Sequence, residues 1–167
     1  STSNSGWMTR IGAFRFPSCT NGSSGSLQGT VTDGVTGLPI PNARFTAADL
    51  TSITDSDGLY RFLNIPTGDY SFTVSAYGYI SATLDAVVTP GNTTRNVSLT
   101  PLPRITLSGT VQDAVHGWPL YSRVEITSGE HQQIVFTHPA SGSYQVDVYQ
   151  GLAYTFTVEA ASGGYIP

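Results

Sequence analysis

The stretch that decides the fold is LQGTVTDGVTGLPIPNARFTA, residues 27–47, which is echoed near the C-terminus as LSGTVQDAVHGWPLYSRVEI, residues 107–126. One set of residues keeps its identity and its spacing in both stretches. In the first stretch these residues are Leu27, Gly29, Thr30, Val31, Asp33, Val35, Gly37 and Pro39. A shared frame of this kind indicates one structural unit that is used twice.

The pattern within the stretch is typical of a strand followed by a turn. Leu27, Gly29 and Val31 alternate with polar residues, as in a strand with one buried face. Asp33-Gly34 and Thr36-Gly37 then combine an Asx side chain, which can cap the backbone, with glycine, which tolerates positive φ. The alternation resumes after the turn, so a second strand is predicted there.

These residues also carry a family resemblance. The motifs G-T-V-x-D-x-x-T-G-x-P-I-P-N-A, T-D-S-D-G-x-Y-R-F, I-P-x-G-x-Y and V-x-A-x-G-Y occur in that order between Leu27 and Leu99. The stretch resembles the carboxypeptidase regulatory-like domain, which implies a transthyretin-like β-sandwich. The second copy is looser: it keeps G-T-V-x-D and Gly142-Ser143-Tyr144 but has lost the Asp-x-Asp-Gly turn. In metallocarboxypeptidases the zinc chemistry belongs to a separate catalytic domain, so the resemblance implies no enzymatic activity.

Composition narrows the class of protein. The chain has 167 residues, of which 11% are charged, a net charge of −4 and no Lys among its basic residues. The charge gives no basic stripe for nucleic acid, no apolar run is long enough to span a bilayer, and the absence of Lys excludes an isopeptide cross-link within the chain. The sequence begins at Ser1, as a processed, secreted chain would.

The chain is predicted to be all-β, with two tandem transthyretin-like or Ig-like β-sandwiches after an N-terminal extension strand. The predicted boundaries are 1–25 for the strand and linker, 26–101 for the first sandwich and 102–167 for a second, incomplete sandwich. Predicted strands in the first sandwich are Leu27–Thr32, Ala43–Ala48, Ser52–Thr54, Tyr60–Ile65, Asp69–Ala76, Ala82–Val88 and Thr94–Leu99. Those in the second are Thr106–Gln112, Arg123–Thr127, Gln133–Thr137, Ser143–Tyr149 and Tyr154–Ala160. The predicted core is Leu27, Val31, Ile40, Phe45, Ile53, Tyr60, Phe62, Phe72, Val74, Leu84, Val97 and Leu99.

The two ends of the chain are mismatched. Gly164-Tyr165-Ile166 matches Gly78-Tyr79-Ile80, but in the first copy this motif is followed by the last strands, including Thr94–Leu99. We therefore expect the second copy to lack at least its final strand. A sandwich without that strand exposes apolar side chains and unpaired backbone groups on the neighbouring strand.

The N-terminal segment has the sequence of such a final strand. Thr9–Phe14 parallels Thr94–Leu99, and each is followed by proline and then by a new G-T-V unit. This predicts a homopolymer in which the donor strand of one molecule completes the second sandwich of the next. The predicted interface residues are Trp7, Met8, Ile11, Gly12, Ala13, Phe14 and Phe16. In this register Gly12 and Phe14 face the acceptor core, and a one-residue slip would reverse the two faces.

Two other functions remain open at the level of sequence. The chain fits a tandem stalk or accessory module of a larger secreted hydrolase, since regulatory-like domains commonly occur in that setting. Surface glycans are a further candidate partner, because aromatic side chains on loops can form platforms for sugars. The candidates for such a platform are Trp118, Tyr121, Tyr77 and Tyr79.

Residues with chemical potential have structural explanations. The histidines, His116, His131 and His138, match no nucleophile or metal motif and are interpreted as loop residues. Asp55 and Asp57 in T-D-S-D-G are interpreted as a capped tight turn with Gly58 at positive φ. Neither a cofactor nor a metal is expected. Candidate glycosylation sites are Asn21, Asn92 and Asn96. Cys19 has no partner for an internal disulfide and is either an inert linker thiol or a contact between chains.

Overall fold

The computed structural model describes residues 22–161, and all the regular elements in that range are β-strands. The first half contains β1 (Ser24–Asp33), β2 (Arg44–Ala47), β3 (Leu50–Ile53), β4 (Leu59–Pro66), β5 (Gly68–Ser75), β6 (Ala82–Val88), β7 (Gly91–Thr94) and β8 (Val97–Leu99). The second half contains β9 (Arg104–Thr110), β10 (Ser122–Ser128), β11 (His131–Phe136), β12 (Ser143–Tyr149) and β13 (Thr155–Ala160). The prediction of an all-β chain is confirmed.

The first half is a sandwich of two sheets. One sheet has the order β4-β1-β7, with β8 also pairing with β1, and the other has the order β3-β2-β5-β6. Strands β1 and β5 therefore lie in the interior of their sheets. Burial alternates along β1, as expected for a strand with one face against the opposite sheet.

Aromatic side chains fill the space between these two sheets. The ring of Phe45 stacks on Tyr60 with a centroid distance of 4.0 Å and meets the ring of Phe72 edge-on at 6.4 Å. Most of the predicted core is buried, so the alternation found in the sequence identifies the inner faces correctly. Leu84, however, is only partly buried.

Ile53 was wrongly predicted to lie in the core, and its side chain is 50% exposed. The pairing between β2 and β3 explains the error, since buried Phe45 lies directly opposite Ser52. Residues opposite each other in a ladder share a face, so Ser52 faces inward and Ile53 faces outward. The following residue, Thr54, is buried, and its Oγ1 donates to the carbonyl of Ile40 at 2.7 Å.

The last predicted strand of the first sandwich is also corrected. Thr94–Leu99 is not one continuous strand, because Arg95 and Asn96 interrupt it between β7 and β8. Both pieces run parallel to β1: Gln28 lies opposite Thr94, and Val31 lies opposite Val97. The interruption has a structural cause, described below.

The second half repeats local details of the first. The hydroxyl of Thr137 donates to the carbonyl of Leu120 at 2.6 Å, as Thr54 does to Ile40. Gly142 has φ +67° and corresponds to Gly58 with φ +69°. The strands form two small sheets, β11-β10-β13 and β12-β9.

Residues 100–103, which connect β8 to β9, form hydrogen bonds with both halves. The N–H of Leu102 donates to the carbonyl of Gly78 at 2.8 Å, and the N–H of Gln150 donates to the carbonyl of Pro103 at 2.9 Å. The ring of Tyr149 lies so close to Gly78 that a Cβ on that glycine would be 2.6 Å from it. The link is therefore bonded to the first sandwich on one side and to the second on the other.

Candidate functional site

The candidate functional site is the side of the second half on which strands β9 and β13 have no described neighbour. In the first sandwich β1 is covered on this side by β7 and β8, and β5 is covered by β6. In the second half, β9 pairs with β12 alone and β13 with β10 alone among the strands of residues 22–161. The backbone groups on two strand edges are thus unpaired within the described part of the chain.

Side chains on this side are exposed where their counterparts are buried. Phe156 and Val158 are 37% and 43% exposed, although they lie directly opposite the buried Ile126 and Val124 and so face inward. The matching residues of the first sandwich, Phe72 and Val74, are fully buried. Within residues 22–161 the inner face of β13 therefore lacks the cover that the same face of β5 has.

The same contrast holds for the opposite strand. Leu27 and Val31 on β1 are fully buried, whereas Leu107 and Val111 are only partly buried. The buried core of the second half is limited to Val124, Ile126, Val146 and Val148. This core is much smaller than the core of the first sandwich, as a sandwich with an open side requires.

The first sandwich shows how its own side is closed. The carbonyl of Arg95 turns inward over Gly29, where an added Cβ would lie 1.7 Å from the carbonyl oxygen. This oxygen accepts a hydrogen bond from the buried Tyr60 hydroxyl at 2.7 Å, and the N–H of Arg95 donates to the carbonyl of Gln28 at 2.8 Å. The N–H of Thr30 donates to Oδ1 of Asn96 at 3.1 Å. The inward carbonyl is what separates β7 from β8.

The second half keeps the receiving groups of this contact. Gly109 lies opposite Tyr144, in the register in which Gly29 lies opposite Tyr60. A Cβ on Gly109 would be 2.8 Å from both Cε1 and the hydroxyl oxygen of Tyr144. The hydroxyl of Tyr144 has no hydrogen-bond partner within residues 22–161, whereas the hydroxyl of Tyr60 binds Arg95. A cleft of about 600 Å³ borders Gly109 and Tyr144.

Two matching turns each contain an aspartate whose carboxylate accepts backbone N–H groups. Oδ1 of Asp33 accepts the N–H groups of Val35 and Thr36 at 2.7 and 2.8 Å, and these bonds lower the pKa of the carboxyl group. The hydroxyl of Tyr79 also donates to this carboxylate, at 2.9 Å. Burial and this hydrogen bond raise the pKa of Tyr79 to about 12.

In the second turn, Asp113 accepts from the N–H groups of His116 and Val115, which lowers its pKa in the same way. Trp118 is 64% exposed, and its ring stacks on His116 with a centroid distance of 4.7 Å. The turn therefore offers a flat aromatic surface to solvent.

Aromatic rings and one ion pair join the two halves. Tyr77 stacks on His131 at 3.7 Å and meets Tyr149 edge-on at 5.2 Å. Arg44 forms an ion pair with the exposed Glu130 at 3.1 Å. These contacts could not be predicted from the sequence alone, because they depend on the relative position of two sandwiches.

The predicted site residues have several outcomes. The predicted interface residues, Trp7, Met8, Ile11, Gly12, Ala13, Phe14 and Phe16, lie outside the described residues, as do Cys19 and Asn21. Asn92 is exposed on β7, and Asn96 is exposed while its side-chain oxygen binds Thr30.

The Asp55 turn is confirmed. Oδ1 of Asp55 accepts the N–H groups of Asp57 and Leu59, and Gly58 has positive φ. Within residues 22–161 no cluster of side chains suited to a metal was found, nor was a helix long and apolar enough to cross a membrane.

Over residues 22–161 the chain forms two β-sandwiches, the first complete and the second open on one side. Residues 26–100 match the family model of the carboxypeptidase regulatory-like domain, so the first sandwich is a domain of that family. The resemblance noted in the sequence is thereby confirmed for this part of the chain. A search of the curated proteins gave no match.

Comparison with solved structures found several similar chains. A streptococcal ancillary pilin has 18% identity and a TM-score of 0.51, with 89% of this chain and 57% of that chain covered. The shaft pilin SpaA from Lactobacillus rhamnosus GG has 10% identity and a TM-score of 0.42, with 86% and 90% covered. A putative carbohydrate binding protein from Bacteroides uniformis has 14% identity and a TM-score of 0.41, with 87% and 94% covered. The chain thus spans little more than half of the ancillary pilin, and the likeness to that pilin establishes the β-sandwich fold alone.

Proposed function

We propose that the protein is a structural subunit of an extracellular, pilus-like filament. In this filament residues 7–16 of one subunit complete the second sandwich of the next by β-strand addition along β9. The observation that carries the proposal is the uncovered side of the second half. Among the strands of the described residues, β9 has no parallel partner like the one that β7 and β8 give to β1, and inward-facing Phe156 and Val158 are exposed.

The occupant is argued from sequence and size. Thr9–Phe14 parallels Thr94–Leu99, the segment that covers the same side of the first sandwich. Residues 7–16 are as many as the 10 residues of β1, so they are long enough to run along a whole strand edge. Phe14 then takes the position of the fully buried Leu99 and fills the space between β9 and β13.

A filament follows from the type of contact. The donor segment and the acceptor side lie at different places on the molecule, so the interface is heterologous and generates open chains unless its geometry closes a ring. The streptococcal protein that shares the fold is named an ancillary pilin, and a pilus is an extracellular filament of this general type. The absence of catalytic motifs agrees with a structural role.

Truncation tests the proposal directly. Three recombinant chains are compared by sedimentation and negative-stain electron microscopy: the whole chain, a chain lacking residues 1–6 as the matched control, and a chain lacking residues 1–16. We expect fibres from the first two and soluble monomer from the third, which a peptide of residues 7–16 should bind and stabilise. Unchanged fibres from the chain lacking residues 1–16, or a whole chain that stays monomeric, would contradict the proposal.

A second candidate function rests on the exposed ring of Trp118. This candidate is a tandem stalk or accessory module of a larger secreted hydrolase that binds surface glycans, with the indole as the platform. Binding on a glycan array that is lost in Trp118→Ala but kept in Val115→Ala, a change at a more exposed position of the same turn, would support it. Equal binding by the two variants, or none by the parent chain, would count against it.

A further inference from the structure

The proposed filament leaves open what fixes the register of the added strand. Resting on that filament, we infer that Gly109 and Tyr144 set this register. The backbone carbonyl of Arg10 of the neighbouring subunit lies over Gly109 and accepts a hydrogen bond from the hydroxyl of Tyr144. These two residues are thus the specificity-determining residues of the acceptor.

The first sandwich provides the physical reason. The inward carbonyl of Arg95 fits only because Gly29 has no side chain, and the hydroxyl of Tyr60 satisfies it within the core. A carbonyl turned into a core without a donor is costly, so glycine and tyrosine are both needed at this level of the sheet. Where such a pair occurs, it fixes which residue of the covering strand lies beside it.

The second half has the same pair, but no strand of the described residues covers it. Gly109 is the one core-facing position of β9 that lacks a side chain, since Ile105 and Leu107 share its parity. Its partner Tyr144 has an unused hydroxyl within residues 22–161. By the shared register, the carbonyl of Ser108 faces the uncovered edge, as the carbonyl of Gln28 faces Arg95.

This register assigns every neighbour of the incoming strand. With Arg10 in the place of Arg95, Gly12 lies opposite Val111 and Phe14 opposite Asp113, because Val97 and Leu99 lie opposite Val31 and Asp33. Ala13 then corresponds to the exposed Ser98 and lies opposite Gln112 on the outer face. A slip by one residue would turn Ile11 and Ala13 inward in place of Gly12 and Phe14.

Disulfide trapping in the whole chain measures the register. In a Cys19→Ser background, Ala13→Cys is combined either with Gln112→Cys, its predicted partner, or with Thr110→Cys, which is two residues away on the same face. Neighbouring Cα atoms in a ladder are within reach of a disulfide, whereas the second pair is about 8 Å apart and is not. The pair Thr32→Cys with Ser98→Cys gives the matched control within one chain, because these two residues lie opposite each other in the first sandwich.

We expect the Gln112 pair to give a reducible ladder of oligomers under mild oxidation, and the Thr110 pair to give none. The register would be overturned by a ladder from the Thr110 pair, by ladders from both pairs, or by no ladder from either pair. The filament would remain supported in these cases if removal of residues 1–16 still abolishes fibres. Fibres that survive removal of residues 1–16 would instead remove the filament itself.

The role of the tyrosine has its own readout. The loss of one hydrogen bond in Tyr144→Phe should raise the critical concentration for assembly by about five-fold. Tyr121→Phe, at an exposed position of the same half, should leave it unchanged. Equal critical concentrations for the Tyr144 variant and the parent chain would show that this hydroxyl takes no part in binding the strand.

Discussion

Gly29 and Gly109 hold matching positions in the two halves, but among the described residues only Gly29 is covered by a further strand. The same substitution should therefore have different effects at the two positions. Gly29→Ala places a Cβ 1.7 Å from the carbonyl oxygen of Arg95, about half an ordinary van der Waals separation. The strand that carries Arg95 must then move away by more than 1 Å, a rough estimate from the closest contacts that proteins tolerate. This movement breaks the bond between Tyr60 and Arg95 and the bond between Arg95 and Gln28.

The size of the loss follows from these bonds. Leaving the buried hydroxyl of Tyr60 without a partner costs about 1–3 kcal/mol, and each further broken hydrogen bond costs about 1 kcal/mol. The total is roughly 2–4 kcal/mol, a large part of the stability of about 5–15 kcal/mol that is typical of a domain. Gly109→Ala meets only the ring of the half-buried Tyr144, which can turn aside, so its cost should stay below about 1 kcal/mol.

Urea unfolding of both variants, made in the chain lacking residues 1–16 so that assembly does not contribute, provides the comparison. Hydrogen exchange of β1 and β9 assigns each loss to its half. We expect fast exchange in β1 of Gly29→Ala and near-normal exchange in β9 of Gly109→Ala. Equal losses in the two variants, or a Gly29→Ala chain as stable as its parent, would refute the reasoning.

Three further predictions concern titration and the junction between the halves. Burial raises the pKa of Tyr60 from 10.0 to about 12. The stability that the protonated Tyr60 contributes is therefore complete below pH 10 and is lost as the pH rises through 12. Tyr60→Phe should remove this alkaline loss of stability in thermal melts. The lowered pKa of Asp33 has the opposite sign, because its stabilisation is present above its ordinary value of 3.8 and fades as the pH falls below it. The difference in Tm between the parent and Asp33→Asn at pH 7 should therefore shrink in acid, and a constant difference would argue against the Asp33 contacts. Gly78→Ala, at φ +84° and with the ring of Tyr149 in the way, should loosen the junction and broaden the distance distribution in small-angle scattering, whereas an unchanged distribution would show that the halves are not held at this point.

Much of the fold could be predicted from the sequence because alternation and turn chemistry are local. The inner face of β1 follows from Leu27 and Val31, and the positive φ of Gly58 follows from the Asp55 turn. The prediction that Ile53 is buried failed because the pairing of an edge strand decides which of its residues face inward. Phe45 lies opposite Ser52, and the sequence does not show that pairing. A single apolar residue at the end of a short strand is therefore weak evidence that the residue is buried.

The site was only partly predictable. The sequence indicated a missing final strand, whereas the described part of the second half has no counterpart of β6, β7 or β8. The break at Arg95 depends on a backbone carbonyl, which leaves no pattern in side chains. The sequence feature that accompanies the break is Gly29, a glycine at a core-facing position opposite Tyr60. The same arrangement recurs at Gly109, which lies opposite Tyr144.

A cryo-electron microscopy map of the fibres at side-chain resolution would show directly what lies along β9 in the assembled protein. We expect a strand parallel to β9 formed by residues 7–16 of a neighbouring molecule, with Phe14 inside the sandwich and the carbonyl of Arg10 at the Tyr144 hydroxyl. A second half closed by residues of its own molecule, with residues 7–16 elsewhere, would contradict it.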